Sequence, residues 1–237
     1  MLRQTTVRLR VGDGEIRANV FQNGAASPTL LSVHDDEDTA VAAGQANLAQ
    51  FGGRLIELAH TGDRLVTFTL DGQPYTFDPN RIFSDTGIAG TLRKEGRYSP
   101  AAHAAIRQFA ATYLETFALD REPVIIALHN GTDGAFSVAS FLPGAEHGTN
   151  AAAAHINRDR SPSDFYFTTH RGFFDALSRR GFNAVLQDNE RAAEDGSLSV
   201  YFARKGIPYI NVEADAGHLH QQVEMLAAVR EMLLAAR

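Results

Sequence analysis

The 237-residue sequence has an ordinary globular composition, with 44% hydrophobic residues, 21% charged residues and a formal net charge of −6. This charge argues against nucleic acid as the main partner, and no apolar run reaches the length of a transmembrane helix. Cysteine is absent, so disulfides and thiolate chemistry are excluded and any metal must be held by His and carboxylate side chains. The length fits one large domain, and we expect a single domain over residues 1–237.

The first third of the chain predicts several strands and one helix. "TVRLRV" and "EIRANVFQ" alternate around Gly12-Asp13-Gly14, which predicts a hairpin. Because this start has no apolar signal segment, we expect a cytoplasmic protein or an exported one whose signal has been removed. "SPTLLSVH" predicts a buried strand and residues 39–51 a helix. "GRLIELAH", "RLVTFTL" and "QPYTFD" predict further strands, with a hairpin turn at Asp71-Gly72.

The rest of the chain alternates helices with apolar strands. Ser99-Pro100 predicts the start of a helix that continues to about residue 119, and "PVIIALH" predicts a buried strand. Residues 143–164 read as an irregular stretch, either a lid or a plain surface loop. Residues 170–180 predict a helix, "NAVLQ", "LSVYFARKG" and "IPYINVEA" supply strands and one short connection, and a last helix begins near residue 217. This order predicts an α/β fold with a mixed, largely parallel sheet sandwiched between helices.

Three of the apolar strands end in a possible metal ligand or acid–base group. "PTLLSVH" ends in His34, "PVIIALH" ends in His129 and "PYINVE" ends in Glu213, while Glu37 follows three residues after His34. The carboxyl ends of parallel strands converge at one edge of a sheet, where sites of α/β proteins form. A single His after a strand is more simply a hydrogen-bonded loop residue. Three such strands together with Glu37 favour one shared site.

The residue types at this predicted site fit zinc. Two imidazoles and one carboxylate hold the ion and leave a fourth position for water, which is the arrangement of catalytic zinc sites. A separate glutamate nearby can take a proton from that water. The HExxH helix motif is absent, so the layout differs from that of thermolysin.

These residues resemble a known family. The segment from His34 to Glu37 resembles the HxxE motif of the zinc carboxypeptidases and of their relatives, the succinylglutamate desuccinylases and aspartoacylases. The segment "DPNRIF" (78–83) is similar to the Asp-x-Asn-Arg-x-Phe segment of the deacylase branch. "LHN" (128–130) stands where the third zinc ligand belongs, and "NVEA" (211–214) where the general base belongs. Upstream of the latter, "DGS" (195–197) resembles the Gly-Ser turn of the carboxypeptidases.

The resemblance implies a role for each matching residue. It implies a zinc carboxypeptidase-like fold, with residues 1–237 as a single zinc-hydrolase domain in which His34, Glu37 and His129 bind Zn²⁺. It makes Glu213 the general base that takes a proton from the attacking water and later passes it to the leaving amine.

The same resemblance also implies how substrate is held. Asn80 and Arg81 would bind a substrate carboxylate, so the expected partner is a small peptide or an N-acyl amino acid, with no nucleic acid and no membrane. Arg64 is the first candidate for polarising the scissile carbonyl and Arg54 the second; either could equally be a surface arginine.

Departures from the family pattern leave the reaction open. Ala127 stands where the deacylases usually have an Asp, and residues 190–194 lack the Tyr of the carboxypeptidases. The alternatives are removal of a C-terminal residue from a peptide, deacylation of an N-acyl amino acid, or a non-catalytic zinc-containing binding module. Other polar residues near the strand ends are expected to be structural, although Asp35 or Asp36 could orient His34, and His60 or His218 could line the site.

Overall fold

The chain is built around one large sheet, seen in a computed structural model that describes residues 1–132 and 136–235. The sheet has nine strands in the order β1-β2-β4-β3-β7-β11-β9-β10-β8. Its strands are β1 (Arg3–Val11), β2 (Gly14–Asn23), β3 (Thr29–Ser32), β4 (Gly53–Ala59), β7 (Ile125–Gly131), β8 (Ala151–His155), β9 (Phe165–Thr168), β10 (Asn183–Gln187) and β11 (Tyr209–Asp215). The strands β5 (Val66–Leu70) and β6 (Gln73–Phe77) form a separate hairpin.

Helices cover both faces of this sheet. They are α1 (Asp38–Phe51), α2 (Asp85–Glu95), α3 (Pro100–Thr116), α4 (Arg171–Arg179), α5 (Leu198–Arg204) and α6 (Leu219–Ala235). One apolar cluster joins α2, α3 and α5 to one face of the central strands. A second cluster joins α1, α4 and α6 to the opposite face. None of the helices in the described ranges combines the length and apolar character that crossing a bilayer demands.

The centre of the sheet is parallel, which explains its uniformly apolar strands. β4 pairs with β3, β3 with β7 and β7 with β11, all in parallel. Every residue of β3 is buried, and so are the first six residues of β7. Strands that are covered by helices on both faces have no solvent side, so alternation disappears from their sequence. The predicted fold class, a mixed and largely parallel sheet between helices, is confirmed.

The predictions of two hairpin turns and one helix N-cap are also confirmed. β1 and β2 pair as an antiparallel hairpin around Gly12 and Asp13. Asp71 and Gly72 both have positive φ and connect β5 to β6. Oγ of Ser99 accepts a hydrogen bond from the N–H of Ala102 at 3.0 Å, so Ser99 is the N-cap of α3 as predicted.

The strand predicted for residues 198–206 is wrong, because this segment contains α5. Ser197 is the N-cap, and its Oγ accepts a hydrogen bond from the N–H of Val200. Leu198 and Phe202 stand four residues apart and are both fully buried, which is the spacing of one helix face. In so short a segment the helical and alternating patterns overlap, and the cap decides between them.

Three further elements were not predicted. The helix α2 precedes the predicted start of α3, and β9 was not recognised as a strand. The stretch 143–164 contains β8, the Ala run, which pairs antiparallel with β10 at the edge of the sheet. Residues 151–155 therefore belong to the sheet and cannot act as a lid.

Candidate metal centre

The ends of β3, β7 and β11 bring the predicted site residues together. β3 ends at Ser32, and His34 follows two residues later. His129 lies in β7 and is the register partner of Glu213 in β11. The side chains of His34, His129 and Glu213 are all buried. The convergence that the three strand ends predict is present in the fold.

Three of these side chains, those of His34, Glu37 and His129, form one compact buried cluster. Nδ1 of His34 lies 3.0 Å from Oε1 of Glu37 and 3.2 Å from Nδ1 of His129. Nδ1 of His129 lies 3.0 Å from Oε2 of Glu37. Ligands at about 2.0–2.1 Å from a tetrahedral Zn²⁺ stand about 3.3 Å from one another. The donor set and its spacing therefore fit a metal site of the kind that zinc prefers.

The carboxylate of Glu37 is available to this cluster because another residue caps the helix behind it. Glu37 is the N-cap of α1, but its side chain makes no capping hydrogen bond. Instead, Oδ1 of Asn130 accepts a hydrogen bond from the N–H of Ala40 at 2.7 Å. Asn130 is held in turn by Gln222 of α6, at 3.0 Å from Nδ2 to Oε1. The residue after His129 thus satisfies the helix terminus and leaves Glu37 turned into the site.

Electrostatic interactions within the cluster favour charged forms in spite of burial. Burial lowers the pKa of His34, but the carboxylates of Glu37 and Asp78 outweigh it and raise that pKa to about 9. Burial raises the pKa of Glu37, which is 2% exposed, but the imidazoles of His129 and His34 hold it well below its usual range. A metal cation bound in the same place would become the partner of this carboxylate.

A second carboxylate orients the ring of His34. Oδ1 of Asp78 lies 2.9 Å from Nε2 of His34, which makes Nε2 the protonated nitrogen and leaves Nδ1 for the cluster. Asp35, which the sequence offered for this role, accepts instead from the backbone N–H groups of His60 and Gly62. Asp78 was not assigned this role from the sequence. Its only signal was its place at the start of the "DPNRIF" segment.

The second imidazole lacks such an orienting carboxylate. Nε2 of His129 is buried and has no hydrogen-bond partner among the residues that the structure describes. Ala127, two residues earlier on the same face of β7, is a buried member of an apolar cluster. The alanine at this position supplies no polar group to the His129 ring.

Glu213 lies beside the cluster and is held by a hydrogen bond from Asn211. Its Oε2 accepts a hydrogen bond from Nδ2 of Asn211 at 3.0 Å. The side chain is 5% exposed, and burial raises the pKa of its carboxyl above the usual value, although His129 opposes this shift. A carboxyl group with a raised pKa is suited to exchanging a proton near neutral pH. Sequence reasoning missed Asn211, although a residue two positions from Glu213 must share its face of the strand.

The two arginines proposed for the carbonyl have different surroundings. Nη1 of Arg64 donates a hydrogen bond to Oε1 of Glu37 at 2.8 Å, and its side chain is 48% exposed. Arg54 instead lies near the beginning of β4, where it contacts Thr29 and Glu122. That is the opposite end of the parallel strands, so Arg54 is not part of the site.

Asn80 and Arg81 stand at the same cleft. Oδ1 of Asn80 accepts from the N–H of Leu198 at 3.1 Å, and the N–H of Asn80 donates to Asp78 at 2.8 Å. Nε of Arg81 lies 3.8 Å from Oδ2 of Asp195, and 40% of the Arg81 side chain is exposed.

The predicted Gly-Ser turn packs directly behind Arg81. Gly196 has a positive φ of 74°, and a Cβ there would stand 2.6 Å from the carbonyl oxygen of Arg81. Its own carbonyl oxygen accepts a hydrogen bond from the N–H of Phe83. Only glycine satisfies both the backbone conformation and this approach.

One open cleft of about 450 Å³ contains most of these groups. Its lining includes Arg64, Asn80, Arg81, His129 and Glu213. The other candidate histidines lie outside it: His60 donates its N–H to Asp35, and Nδ1 of His218 pairs with Asp164 at 2.9 Å.

Comparison with known proteins supports the fold but not a specific activity. No protein-family model and no curated protein matches the sequence. Among solved structures, the chain is similar to thrombin activatable fibrinolysis inhibitor, a zinc carboxypeptidase, with a TM-score of 0.54 and 9% identity over 98% of this chain and 68% of that one. A Shewanella baltica protein provisionally assigned as a metallopeptidase gives a TM-score of 0.46 and 15% identity, over 98% and 86% of the two chains.

An aspartoacylase family protein of Mesorhizobium loti is another structural neighbour. It gives a TM-score of 0.45 and 14% identity, and the match covers 99% of this chain and 66% of that one. Identities this low report on fold and not on reaction. The fold implied by the HxxE resemblance is confirmed, because the chain shares the fold of thrombin activatable fibrinolysis inhibitor.

Proposed function

We propose that the protein is a zinc-dependent hydrolase that cleaves a peptide or amide bond next to a free carboxylate. The observation that supports this most directly is the buried His34–Glu37–His129 cluster, whose donor atoms stand 3.0–3.2 Å apart. Glu213 and Arg81 line the same cleft as His129. A buried arrangement of two imidazoles and a carboxylate beside a further carboxyl group has few purely structural uses.

In this proposal His34, Glu37 and His129 hold the ion. Bound zinc supplies Lewis-acid chemistry, which makes water easier to deprotonate and a carbonyl easier to attack. The hydrogen bond from His34 to Asp78 fixes which ring nitrogen faces the ion.

Glu213 moves the proton. Its carboxylate takes a proton from the attacking water as the water oxygen bonds to the scissile carbonyl carbon. The same group then gives that proton to the leaving nitrogen as the C–N bond breaks. Asn211 keeps one carboxylate oxygen of Glu213 in place through its Nδ2–H. The raised pKa of Glu213 matches a group that must both accept and release a proton.

The substrate carboxylate is bound by Asn80 and Arg81. A guanidinium offers two parallel donors to a carboxylate, and Arg81 is released for this by exchanging its long 3.8 Å contact with Asp195. Arg64, which lines the same cleft and contacts Glu37, assists at the carbonyl.

Peptide hydrolysis is the first candidate reaction, and deacylation of an N-acyl amino acid is the second. The "DPNRIF" segment favours the deacylase. Ala127 and the unpartnered Nε2 of His129, within the described residues, favour the peptidase because they depart from the deacylase arrangement. We propose that residues 1–237 act as one zinc-hydrolase domain, since a single sheet includes strands from Arg3 to Asp215.

The test is hydrolysis by the zinc-loaded protein. Purified protein is reconstituted with Zn²⁺, and dipeptides blocked at the N-terminus are compared with N-acyl amino acids as substrates. Release of a C-terminal amino acid supports the peptidase, and release of the acyl group supports the deacylase. Stoichiometric zinc with no turnover of either class contradicts the proposal and identifies a non-catalytic zinc-containing module.

A further inference from the structure

The loop that carries Arg64 is tied to the rest of the protein at two points. Residues 60–65 connect β4 to β5, and they form neither helix nor strand. Every hydrogen bond that joins this loop to the rest of the described chain goes to Asp35 or Glu37. The position of the loop therefore depends on the short segment that also contains the proposed metal ligand Glu37.

Asp35 holds this loop through two backbone groups. Its Oδ2 accepts a hydrogen bond from the N–H of His60 at 2.6 Å and another from the N–H of Gly62 at 2.7 Å. Both bonds are short, which is typical of a carboxylate acceptor. Gly62 has a positive φ of 78°, a conformation that glycine adopts readily and that turns the chain sharply at this point. Two N–H groups that converge on one oxygen fix the turn between them.

The same loop then brings Arg64 to Glu37. Nη1 of Arg64 donates to Oε1 of Glu37 at 2.8 Å, although 48% of the Arg64 side chain is exposed. A long, half-exposed side chain loses conformational entropy when it is held in one rotamer, so its contact depends on a fixed backbone. Asp35 stands two residues before Glu37, and Gly62 stands two residues before Arg64. The two segments therefore contact each other twice, and the contact of Asp35 brings Arg64 within reach of Glu37.

Arg64 in turn limits how the carboxylate of Glu37 can face an ion. Oε1 of Glu37 contacts Arg64 at 2.8 Å and Nδ1 of His34 at 3.0 Å, whereas Oε2 lies 3.0 Å from Nδ1 of His129. A hydrogen bond to a ligating carboxylate fixes its orientation and supports metal affinity. Loss of the Arg64 contact should therefore weaken the hold of Glu37 on an ion.

We propose that Asp35 is a positioning residue, which holds the turn at residues 60–62 so that Arg64 contacts Glu37, and that zinc affinity depends on Asp35 through Arg64. This inference rests on the proposed function only in taking the buried cluster as a zinc site. In this role Asp35 touches neither the ion nor the substrate. Its oxygen acts as a hydrogen-bond acceptor, and its negative charge is not required.

Amide hydrogen exchange in the metal-free protein, followed by NMR, tests the first step. Asp35→Ala should speed exchange of the His60 and Gly62 amides by about tenfold or more, because both lose their acceptor. Arg64→Ala should leave these two rates unchanged, because the turn is held from Asp35. Asp159→Ala, at an exposed aspartate between β8 and β9, is the matched control. Wild-type rates in Asp35→Ala, or fast exchange in Arg64→Ala, overturn the proposal.

Zinc affinity tests the second step and separates the acceptor from the charge. Asp35→Ala should lower the affinity about tenfold, as expected for a group that supports a ligand indirectly. Asp35→Asn should stay within about threefold of the wild type, because both N–H groups bond to a single oxygen and an amide also offers one. Competition with a chromogenic chelator measures both variants. Equal losses in the two would show that Asp35 acts through its charge, which overturns the proposal.

A double variant shows whether Asp35 acts through Arg64. Arg64→Ala should lower zinc affinity about tenfold, and Asp35→Ala should cause no further loss in that background, because the contact it supports is already gone. Additive losses overturn the proposal, since a residue that only stabilised the fold would cost as much in either background. Circular dichroism and melting temperature show whether each variant is folded. If Asp35→Ala does not fold, Asp35→Ser replaces it, because a serine hydroxyl is too short to reach both N–H groups.

These measurements separate the proposal from the function on which it rests, because neither amide exchange nor zinc affinity requires turnover. A protein that binds zinc and hydrolyses no substrate refutes the proposed function, while the exchange rates and affinities still decide the role of Asp35. A protein that binds no zinc refutes the zinc site and, with it, the dependence of zinc affinity on Asp35.

Discussion

Nε2 of His34 and Oδ1 of Asp78 lie 2.9 Å apart, in a hydrogen bond that joins residues 44 positions apart in the sequence. Because Asp78 holds Nε2 in this contact, Nδ1 is the ring nitrogen that faces Glu37 and His129 and is available to a metal ion. Asp78 also accepts from the N–H of Asn80. The orientation of the first ligand and the backbone of the proposed carboxylate site therefore depend on the same side chain.

Replacing this carboxylate should weaken metal binding without removing a ligand. Asp78→Ala is expected to lower zinc affinity about 10–100-fold, because the His34 ring loses the partner that fixes its tautomer. Competition with a chromogenic chelator measures the change. Asp85→Ala removes a surface carboxylate that pairs with His103 and Arg107, and this control should bind zinc as the wild type does. Unchanged affinity in a folded Asp78→Ala protein would contradict the role.

Loss of a ligand should have a larger effect. The wild-type protein is expected to bind about one zinc per chain, and His129→Ala should abolish tight binding, since two protein ligands hold zinc poorly. Metal analysis after reconstitution and dialysis gives the stoichiometry. His220→Ala, at an exposed position of α6, is the matched control. Equal zinc content in the His129→Ala variant and the wild type would remove His129 from the metal centre.

Glu213→Gln should separate proton transfer from metal binding. The amide keeps the shape of the side chain but cannot accept the proton, so turnover should fall about a hundredfold or more while zinc content is unchanged. Zinc content, melting temperature and kcat are measured on the same preparation. Loss of zinc together with activity would show that Glu213 is a ligand, and an unchanged rate would make it a structural carboxylate.

The same substitution has a consequence for stability in the metal-free protein. Burial raises the pKa of Glu213, so the folded state holds this proton more tightly than the unfolded chain, whose glutamates ionise near pH 4.3. Stability from this group is therefore lost as pH rises through the interval between the two pKa values. As pH rises through that interval, Glu213→Gln should become increasingly more stable than the wild type. Thermal unfolding of both proteins between about pH 4 and about pH 8 measures this difference in stability.

Glu224→Gln provides a control of opposite sign. A hydrogen bond with Arg160 lowers the pKa of Glu224, so this carboxylate stabilises the folded state above the unfolded pKa and that contribution is lost as pH falls. This variant should be slightly less stable than the wild type at neutral pH and equal to it in acid. If the difference in stability between Glu213→Gln and the wild type does not change with pH, the effect of burial on Glu213 is refuted.

In the proposed function, Arg81 determines whether the substrate needs a free carboxylate. For any substrate that the wild type hydrolyses, amidation of the carboxylate should lower kcat/KM. The loss should correspond to about 2–5 kcal/mol of activation free energy, because the guanidinium is left without its partner. Arg81→Lys should be nearly as damaging as Arg81→Ala, since an ammonium cannot offer two parallel donors. Arg97→Lys, at an exposed arginine that contacts Gln73, controls for the change of residue type. Equal kcat/KM for acid and amide would exclude this carboxylate site.

The sequence alone determined the parallel centre of the fold and the groups at its edge. The uniformly apolar runs before His34, His129 and Glu213 predict buried parallel strands, because only a sheet covered on both faces removes polar positions from a strand. Once these strands are parallel and adjacent, their carboxyl ends must meet, so the approach of the two histidines follows from pattern and chain direction. The cap at Ser99 and the turn at Asp71 and Gly72 were predictable for the same local reasons.

The tertiary structure decided which side chain supports which. Contacts between distant segments decided that Asp78, and not Asp35, orients His34. They also decided that Asn130 caps α1 in place of Glu37 and that Arg54 lies at the far end of β4. Tertiary packing also decided the secondary structure of α5 and β8, because these elements are too short for periodicity to distinguish helix, strand and loop. A sequence pattern records which face of an element is buried, whereas the partner of a buried polar group is fixed only when two elements pack at one register and distance.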